Sequence, residues 1–74
     1  MAYYLLTVQL AGSRSYQEAA LAKHQIDARD LEDAQWQADT ILANHYRKLE
    51  GATMRLLTEN GVVATRLGEG EWDA

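Results

Sequence analysis

The sequence predicts an α+β fold, in which an antiparallel sheet of three or four strands carries one long helix on one face. Three observations predict it: an alternating apolar segment near the start, a central segment with three-and-four apolar spacing, and an Asn-Gly pair within the closing apolar segment. In chain order the elements read β-(β)-α-β-β. A length of 74 residues leaves room for one small domain, 1–74.

The first strand is predicted at Tyr3–Ala11, where successive side chains alternate between two faces. One set is uniformly apolar and is assigned to the core: Tyr4, Leu6, Val8 and Leu10. The segment after it is ambiguous. Ser15–Glu18 fits a helix capping box, whereas residues 23–28 alternate as a short strand does. We predict a loop with at most one helical turn, followed by a short extended piece.

The helix is the strongest element and is predicted at Leu31–Leu49. Asp30 is the predicted N-cap, because its short carboxylate can accept a hydrogen bond from a free amide of the first turn. Arg47 and Lys48 are expected in the last turn, and Gly51 as the left-handed residue that ends the helix. One face is predicted to be buried: Leu31, Ala34, Ala38, Ile41, Leu42, His45 and Leu49.

A hairpin is predicted at Thr53–Leu67, with Asn60-Gly61 as a type I′ turn. That turn places Leu57 opposite Ala64 and Arg55 opposite Arg66. It also predicts a core face on the hairpin: Met54, Leu56, Val63 and Leu67. From about residue 68 the chain is predicted to be a flexible acidic tail with one tryptophan.

Composition excludes several classes of protein. Eleven acidic against seven basic residues give a net charge of −4, which argues against direct, sequence-specific nucleic-acid binding. There is no cysteine, and no apolar run long enough to span a bilayer. Since no signal-peptide pattern opens the chain, we expect a cytoplasmic protein that does not bind membranes.

Catalytic and metal-binding motifs are not found in the sequence. His24 and His45 lie far apart and lack the spacing of metal ligands, and Ser13 and Ser15 lack the setting of a nucleophile. We therefore expect no catalytic residue, no metal and no cofactor. A group of acids surrounds the helix start: Asp27, Asp30, Glu32, Asp33 and Asp39. Asp30, Glu32 and Asp33 are best explained by stabilisation of the helix N-terminus, and Asp39 by solvation. The alternative is an acidic patch that meets a basic partner.

Trp36 is the most unusual residue of the helix, because the three-and-four spacing places it on the polar face, beside Thr40 and Arg47. An exposed tryptophan is typical of a protein contact. The alternative is that residues 15–28 or the tail cover it. These three residues are the first candidates for partner binding.

The second set of candidates lies on the sheet face that a single helix cannot cover. The alternation places Tyr3, Leu5, Leu57 and Val62 there, and the predicted hairpin adds the like-charged pair Arg55 and Arg66. The acidic tail could neutralise this pair, or an anionic ligand or an acidic partner surface could. We expect the apolar residues to be covered by a second copy or by residues 15–28.

The whole pattern resembles small proteins of phages and mobile elements, including anti-CRISPR proteins that act on type I effector complexes. The resemblance rests on Tyr3-Tyr4, on residues 26–34 entering the helix, on residues 54–64 of the hairpin, and on Gly70-Glu71-Trp72. It implies a non-enzymatic inhibitor that occupies a surface of a CRISPR effector subunit. It assigns a role to no individual residue.

The sequence therefore predicts a protein-binding module without enzymatic activity. A homodimer that pairs its outer sheet faces or edge strands, with a structural or ligand-binding role, is the alternative that the residues leave open.

Overall fold

The computed structural model describes residues 2–10 and 21–74 and confirms the α+β class, with one helix packed on an antiparallel sheet. The sheet has five strands, one more than the upper number predicted. The predicted capping box at residues 15–18 lies outside the described residues. The elements are β1 (Ala2–Gln9), β2 (Leu21–Ala28), α1 (Leu31–His45), β3 (Thr53–Thr58), β4 (Gly61–Leu67) and β5 (Trp72–Asp73).

The strand order is β2-β1-β3-β4-β5, with every neighbouring pair antiparallel. β1 pairs with β2 over eight residues, and β2 therefore continues further back than the short extended piece predicted at 23–28. β2 forms one edge of the sheet and lies beside β1. Residues 21–28 consequently do not cover Trp36 or the sheet face opposite the helix. The rest of the segment predicted as a cover, residues 15–20, lies outside the described residues.

The start of α1 agrees with the sequence prediction. Asp30 is the N-cap, with extended backbone, and its side chain accepts a hydrogen bond of 2.9 Å from the N–H of Asp33. This bond satisfies one of the amides that a helix leaves unpaired in its first turn.

The end of α1 differs from the prediction, because the helix stops at His45 rather than Leu49. Tyr46 adopts an extended conformation, and its N–H closes the last turn on the carbonyl of Leu42. Arg47 and Lys48 therefore lie beyond the helix. Gly51 has the predicted left-handed backbone (φ 79°), but it belongs to a later turn.

The core lies between α1 and one face of the sheet. The helix contributes Ala34, Ala38 and Leu42. Two alanines one turn apart leave little side-chain bulk between the helix and the strands, so the two layers can pack closely. Ile41 is half-buried and His45 is exposed, so the buried stripe is narrower than the spacing predicted. The strands contribute Leu6, Val8, Ile26, Ala28, Met54, Leu56 and Ala64.

The hairpin has a different turn and register from those predicted. Thr58 pairs with Gly61, so the loop residues are Glu59 and Asn60. Among the described residues no side-chain-bearing position has a positive φ, which excludes a type I′ turn at Asn60-Gly61. Gly61 itself has φ 116°, a backbone conformation that favours glycine.

A β-bulge after the turn then moves the residues of β4 beyond Val63 to the sheet face opposite the one predicted for them. Leu57 pairs with Val62, but Leu56 pairs with Ala64, so Val63 is an extra residue. Beyond the bulge, Arg55 pairs with Thr65 rather than with Arg66, and the predicted like-charged pair is wrong. The prediction that Leu67 belongs to the core is also wrong, since its side chain is 67% exposed.

Residues of the predicted tail form part of the sheet. Trp72 pairs with Arg66 and packs against the core. Glu69, Glu71 and Asp73 are all exposed. Within the part of the chain that the structure describes, no helix has the length and apolar character needed to cross a bilayer.

Candidate functional site

Trp36 lies on the outer side of α1, with 69% of its surface exposed to solvent. The helix turns its alanine and leucine stripe toward the sheet, and Trp36 falls on the opposite side. The predicted exposure of this tryptophan is thus confirmed. The fold does not use this side chain for its core.

Four residues lie one turn from Trp36 on the helix: Glu32, Asp33, Asp39 and Thr40. We call Trp36 together with Glu32, Asp33 and Thr40 the Trp36 surface; the Asp39 carboxylate is bound by Arg66. The Thr40 hydroxyl donates to the backbone carbonyl of Trp36 at 3.1 Å, so its hydrogen is already engaged within the helix. A shallow depression of about 450 Å³ adjoins the tryptophan, and it is lined by Arg29, Asp30, Glu32, Asp33 and Trp36.

The carboxylate of Asp33 is held by its surroundings. It accepts hydrogen bonds from the backbone N–H of Arg29 (3.1 Å) and from the Gln37 amide (3.2 Å). The N–H of Arg29, followed by weaker contributions from the Gln37 amide and the Arg29 guanidinium, lowers the pKa of Asp33 below its ordinary value of 3.8. An aromatic face beside fixed negative charge is a suitable contact for a lysine or arginine.

Asp39, expected to be simply solvated, lies one turn after Trp36 on α1 and organises a cluster with β4 and β5. One of its oxygens accepts from Arg66 Nη1 at 2.6 Å and from Trp72 Nε1 at 2.8 Å. Arg66 also donates from Nε to the carbonyl of Gly68 at 3.1 Å, and only 12% of its side chain is exposed. The candidate Arg66 is therefore a structural residue that joins α1 to β4 and β5.

Sequence reasoning missed this cluster because it depends on the bulge. Without the extra residue Val63, alternation places Arg66 on the open face, away from Asp39. The available signal was the tail tryptophan, an amphipathic residue whose indole N–H needs an acceptor when it is partly buried.

The remaining candidates are separated from Trp36. Arg47 is exposed and lies two residues beyond the end of α1, so it does not share the helix face on which it was predicted. Arg55 and Leu57 are half-buried on the sheet face opposite the helix. The structure therefore keeps Trp36 and Thr40 together, brings Arg66 to Asp39 one turn from Trp36, and places Arg47, Arg55 and Leu57 elsewhere.

The sheet face opposite the helix is the second candidate surface. Its apolar residues include Leu67 at the far end of β4 and a group formed by Tyr3, Leu5, Leu57 and Val62, and we call this group of four the open face. Tyr3 is 67% exposed and Val62 52%, whereas Leu5 and Leu57 are half-buried. A depression of about 330 Å³ adjoins Tyr3, Leu5 and Leu57. The prediction that these residues share one face is confirmed, and their cover by a second copy stays a prediction.

The two histidines, distant in sequence, meet where α1 ends above β2. Their ring centroids are 5.7 Å apart, and His24 Nε2 shares a hydrogen bond of 2.9 Å with the Tyr46 hydroxyl. Burial raises the pKa of Tyr46, which keeps its phenol neutral. Among the residues that the structure describes, no three histidine or acidic side chains converge as metal ligands.

Comparisons with known proteins give no relative for this chain. No protein family, no curated protein and no solved structure matches it significantly.

Proposed function

We propose that this chain is a non-enzymatic protein-binding module that contacts its partner through the Trp36 surface. The observation that carries the proposal is the exposure of Trp36, 69% on the outer side of α1, in a fold whose core does not need it. Tryptophan is among the residues most enriched at binding hot spots, because it brings a large contact area and a polar tip.

The charge around Trp36 indicates the kind of partner. Glu32 and Asp30 are exposed carboxylates beside the tryptophan, and among the described residues neither forms an ion pair. A positively charged protein surface complements this combination, since lysine and arginine bind both carboxylates and aromatic faces. Proteins that handle nucleic acids carry such basic surfaces.

The proposed partner is therefore a subunit of a nucleic-acid-handling complex in the bacterial cytoplasm, and the resemblance to anti-CRISPR proteins names a type I CRISPR effector. The chain would act by occupying a basic surface of that subunit. No substrate, cofactor or metal enters this mechanism.

The experiment that tests the binding surface compares Trp36→Ala with Tyr3→Ala. The two aromatic side chains are almost equally exposed and lie on opposite sides of the molecule. Trp36→Ala should weaken binding to purified type I effector complex at least tenfold, which corresponds to about 1.4 kcal/mol. Tyr3→Ala should bind as the wild type does. Both variants should keep their melting temperatures within a few degrees.

Two results would contradict the proposed surface. Equal binding by Trp36→Ala and the wild type would remove Trp36 as a contact, and loss of binding by Tyr3→Ala alone would move the interface to the open face.

The assignment to CRISPR inhibition has its own test. Expression of the chain in cells with an active type I system should protect a targeted plasmid, and Trp36→Ala should abolish that protection. Unchanged interference in the presence of well-expressed, folded wild-type chain would reject CRISPR inhibition.

The open face favours a second candidate function, a structural or ligand-binding homodimer. Its exposed Tyr3 and Val62 flank half-buried leucines, a pattern that a second copy could cover. Val62→Asp should then convert a dimer to a folded monomer in sedimentation experiments, whereas Ala43→Asp, an exposed position on the outer side of α1, should not. A wild-type monomer at all accessible concentrations would exclude this candidate.

A further inference from the structure

We infer that a second copy of this chain pairs with the free edge of β2, antiparallel, about a two-fold axis that passes through Gln25. This inference concerns self-association, and it depends neither on the Trp36 surface nor on the identity of the partner proposed above.

The edge of β2 is long and largely unpaired. Its eight residues pair with β1 on one side, and within the described residues no strand pairs on the other side. From outside the sheet, one described hydrogen bond reaches this backbone, from Gln37 Nε2 to the carbonyl of Asp27 at 3.2 Å. Since a carbonyl can accept two hydrogen bonds, this contact leaves the strand able to pair. An exposed edge of this length is a template for another strand.

The charges on β2 select one register. In an antiparallel pair, directly opposite side chains lie on the same face of the sheet. Odd-numbered residues of β2 face one way and even-numbered residues the other, so an odd-numbered residue can pair only with an odd-numbered residue of the second copy. The register centred on Gln25 places Lys23 of each copy opposite Asp27 of the other. Opposite charges at directly facing positions stabilise a strand pair. The neighbouring register centred on His24 pairs Lys23 with Gln25, and the one centred on Ile26 pairs it with Arg29.

Neither charge is explained by the chain's own sheet. Within the β1–β2 ladder, Lys23 faces Thr7 and Asp27 faces Tyr3, two uncharged partners. Both charged side chains are exposed, and no ion pair to either is formed among the described residues. Lys23 and Asp27 lie two residues to either side of Gln25. A two-fold axis through Gln25 therefore pairs Lys23 of each copy with Asp27 of the other and forms two equivalent charge pairs.

Such a dimer has a defined geometry. A two-fold axis perpendicular to the sheet joins the two halves into one ten-stranded antiparallel sheet and keeps both copies of α1 on the same side. The two Trp36 residues then point in the same general direction. A partner with two equivalent sites, or two neighbouring subunits, could be bound bivalently.

Charge reversal with rescue tests this interface. Lys23→Asp would place like charges opposite each other and should weaken the dimer at least tenfold in sedimentation equilibrium. Asp27→Lys should do the same. The double variant, Lys23→Asp with Asp27→Lys, keeps the net charge of −4 and restores both pairs, so its dimerisation should return to nearly that of the wild type.

Matched controls separate this effect from general charge and folding effects. Lys48→Asp changes the charge as Lys23→Asp does but lies outside the sheet, and Asp73→Lys lies on β5 at the opposite edge. Both should dimerise normally, and circular dichroism should show that all variants are folded. Amide exchange of β2 should slow as protein concentration rises.

The inference is overturned if the wild type is monomeric at all concentrations, if the single reversals still dimerise, or if the folded double variant fails to recover.

Discussion

The two faces of the sheet are built from the same strands but differ in whether their charged side chains have described partners within the chain. On the helix-covered face, Leu6, Val8 and Leu56 are fully buried, and the polar Arg66 is bound by Asp39. On the opposite face, Tyr3 and Val62 are exposed, and no ion pair to Arg55 or Lys23 exists among the described residues.

The difference shows which polar residues serve the fold and which remain available to a partner. Burial makes an unpaired charge costly. Arg66 donates two described hydrogen bonds, to Asp39 and to the carbonyl of Gly68, and Asp39 accepts a further one from Trp72, so this cluster ties together α1, β4 and the segment after β4. On the exposed face, solvent screens the charges, so a charged side chain there costs little stability when it has no intramolecular partner. Three pairs of substitutions test this distinction, and a titration of Asp33 follows them.

The largest difference is expected between Leu56→Ala and Leu57→Ala, adjacent residues of β3 that face opposite ways. Leu56 is fully buried, so its truncation leaves a cavity and should cost about 2–5 kcal/mol of unfolding free energy. Leu57 is half-buried, and its truncation should cost about 1 kcal/mol or less. Urea unfolding followed by circular dichroism measures both. Equal losses would show that the open face is packed as tightly as the core.

The next pair compares the two arginines of the hairpin. Arg66→Ala removes the Arg66–Asp39 pair, leaves Asp39 only the Trp72 indole among its described donors, and should cost about 1–3 kcal/mol, since hydrogen bonds to charged groups are the stronger class. Arg55→Ala should stay within about 0.5 kcal/mol of the wild type, as surface changes usually do. Thermal melts of both variants check this. A greater loss for Arg55→Ala would contradict the register that the bulge imposes.

The two tryptophans give a smaller contrast. Trp72→Phe removes the indole N–H that donates to Asp39 and should cost about 0.5–1.5 kcal/mol. Trp36→Phe should cost less than about 0.5 kcal/mol, because its side chain is largely in solvent. Acrylamide should quench the fluorescence of Trp36 more readily than that of Trp72, as measured on the two single-tryptophan variants.

The smallest effect concerns pH. The bound backbone N–H of Arg29 lowers the pKa of Asp33 in the folded chain, so the ionised form is favoured by folding. The resulting stability is present above the ordinary pKa of this carboxyl and is lost as the pH falls through its lowered pKa. Carbon-detected NMR titration should give an Asp33 pKa below 3.8, and Asp33→Asn should flatten the acid limb of the stability curve. An unshifted pKa would contradict the described hydrogen bonds.

Local sequence determined much of this protein. The N-cap Asp30, the buried stripe that begins at Ala34 and the outward position of Trp36 all follow from helical spacing and capping chemistry, which depend on near neighbours. The alternation of β1 likewise placed Leu6 and Val8 in the core and Tyr3 outside it, but its placement of Leu10 in the core is wrong, since β1 ends at Gln9 and Leu10 is 38% exposed.

Tertiary structure decided the rest. The bulge at Val63 follows from how β4 fits against β3, and it moves Arg66 to the face where Asp39 lies. The end of α1 coincides with Tyr46 adopting an extended backbone and bonding to His24 on β2. In both cases the two bonded residues are more than twenty positions apart in sequence: Arg66 and Asp39, and Tyr46 and His24. Periodicity reports only which side of one element is apolar, whereas a register shift or a long-range hydrogen bond is fixed when the elements meet.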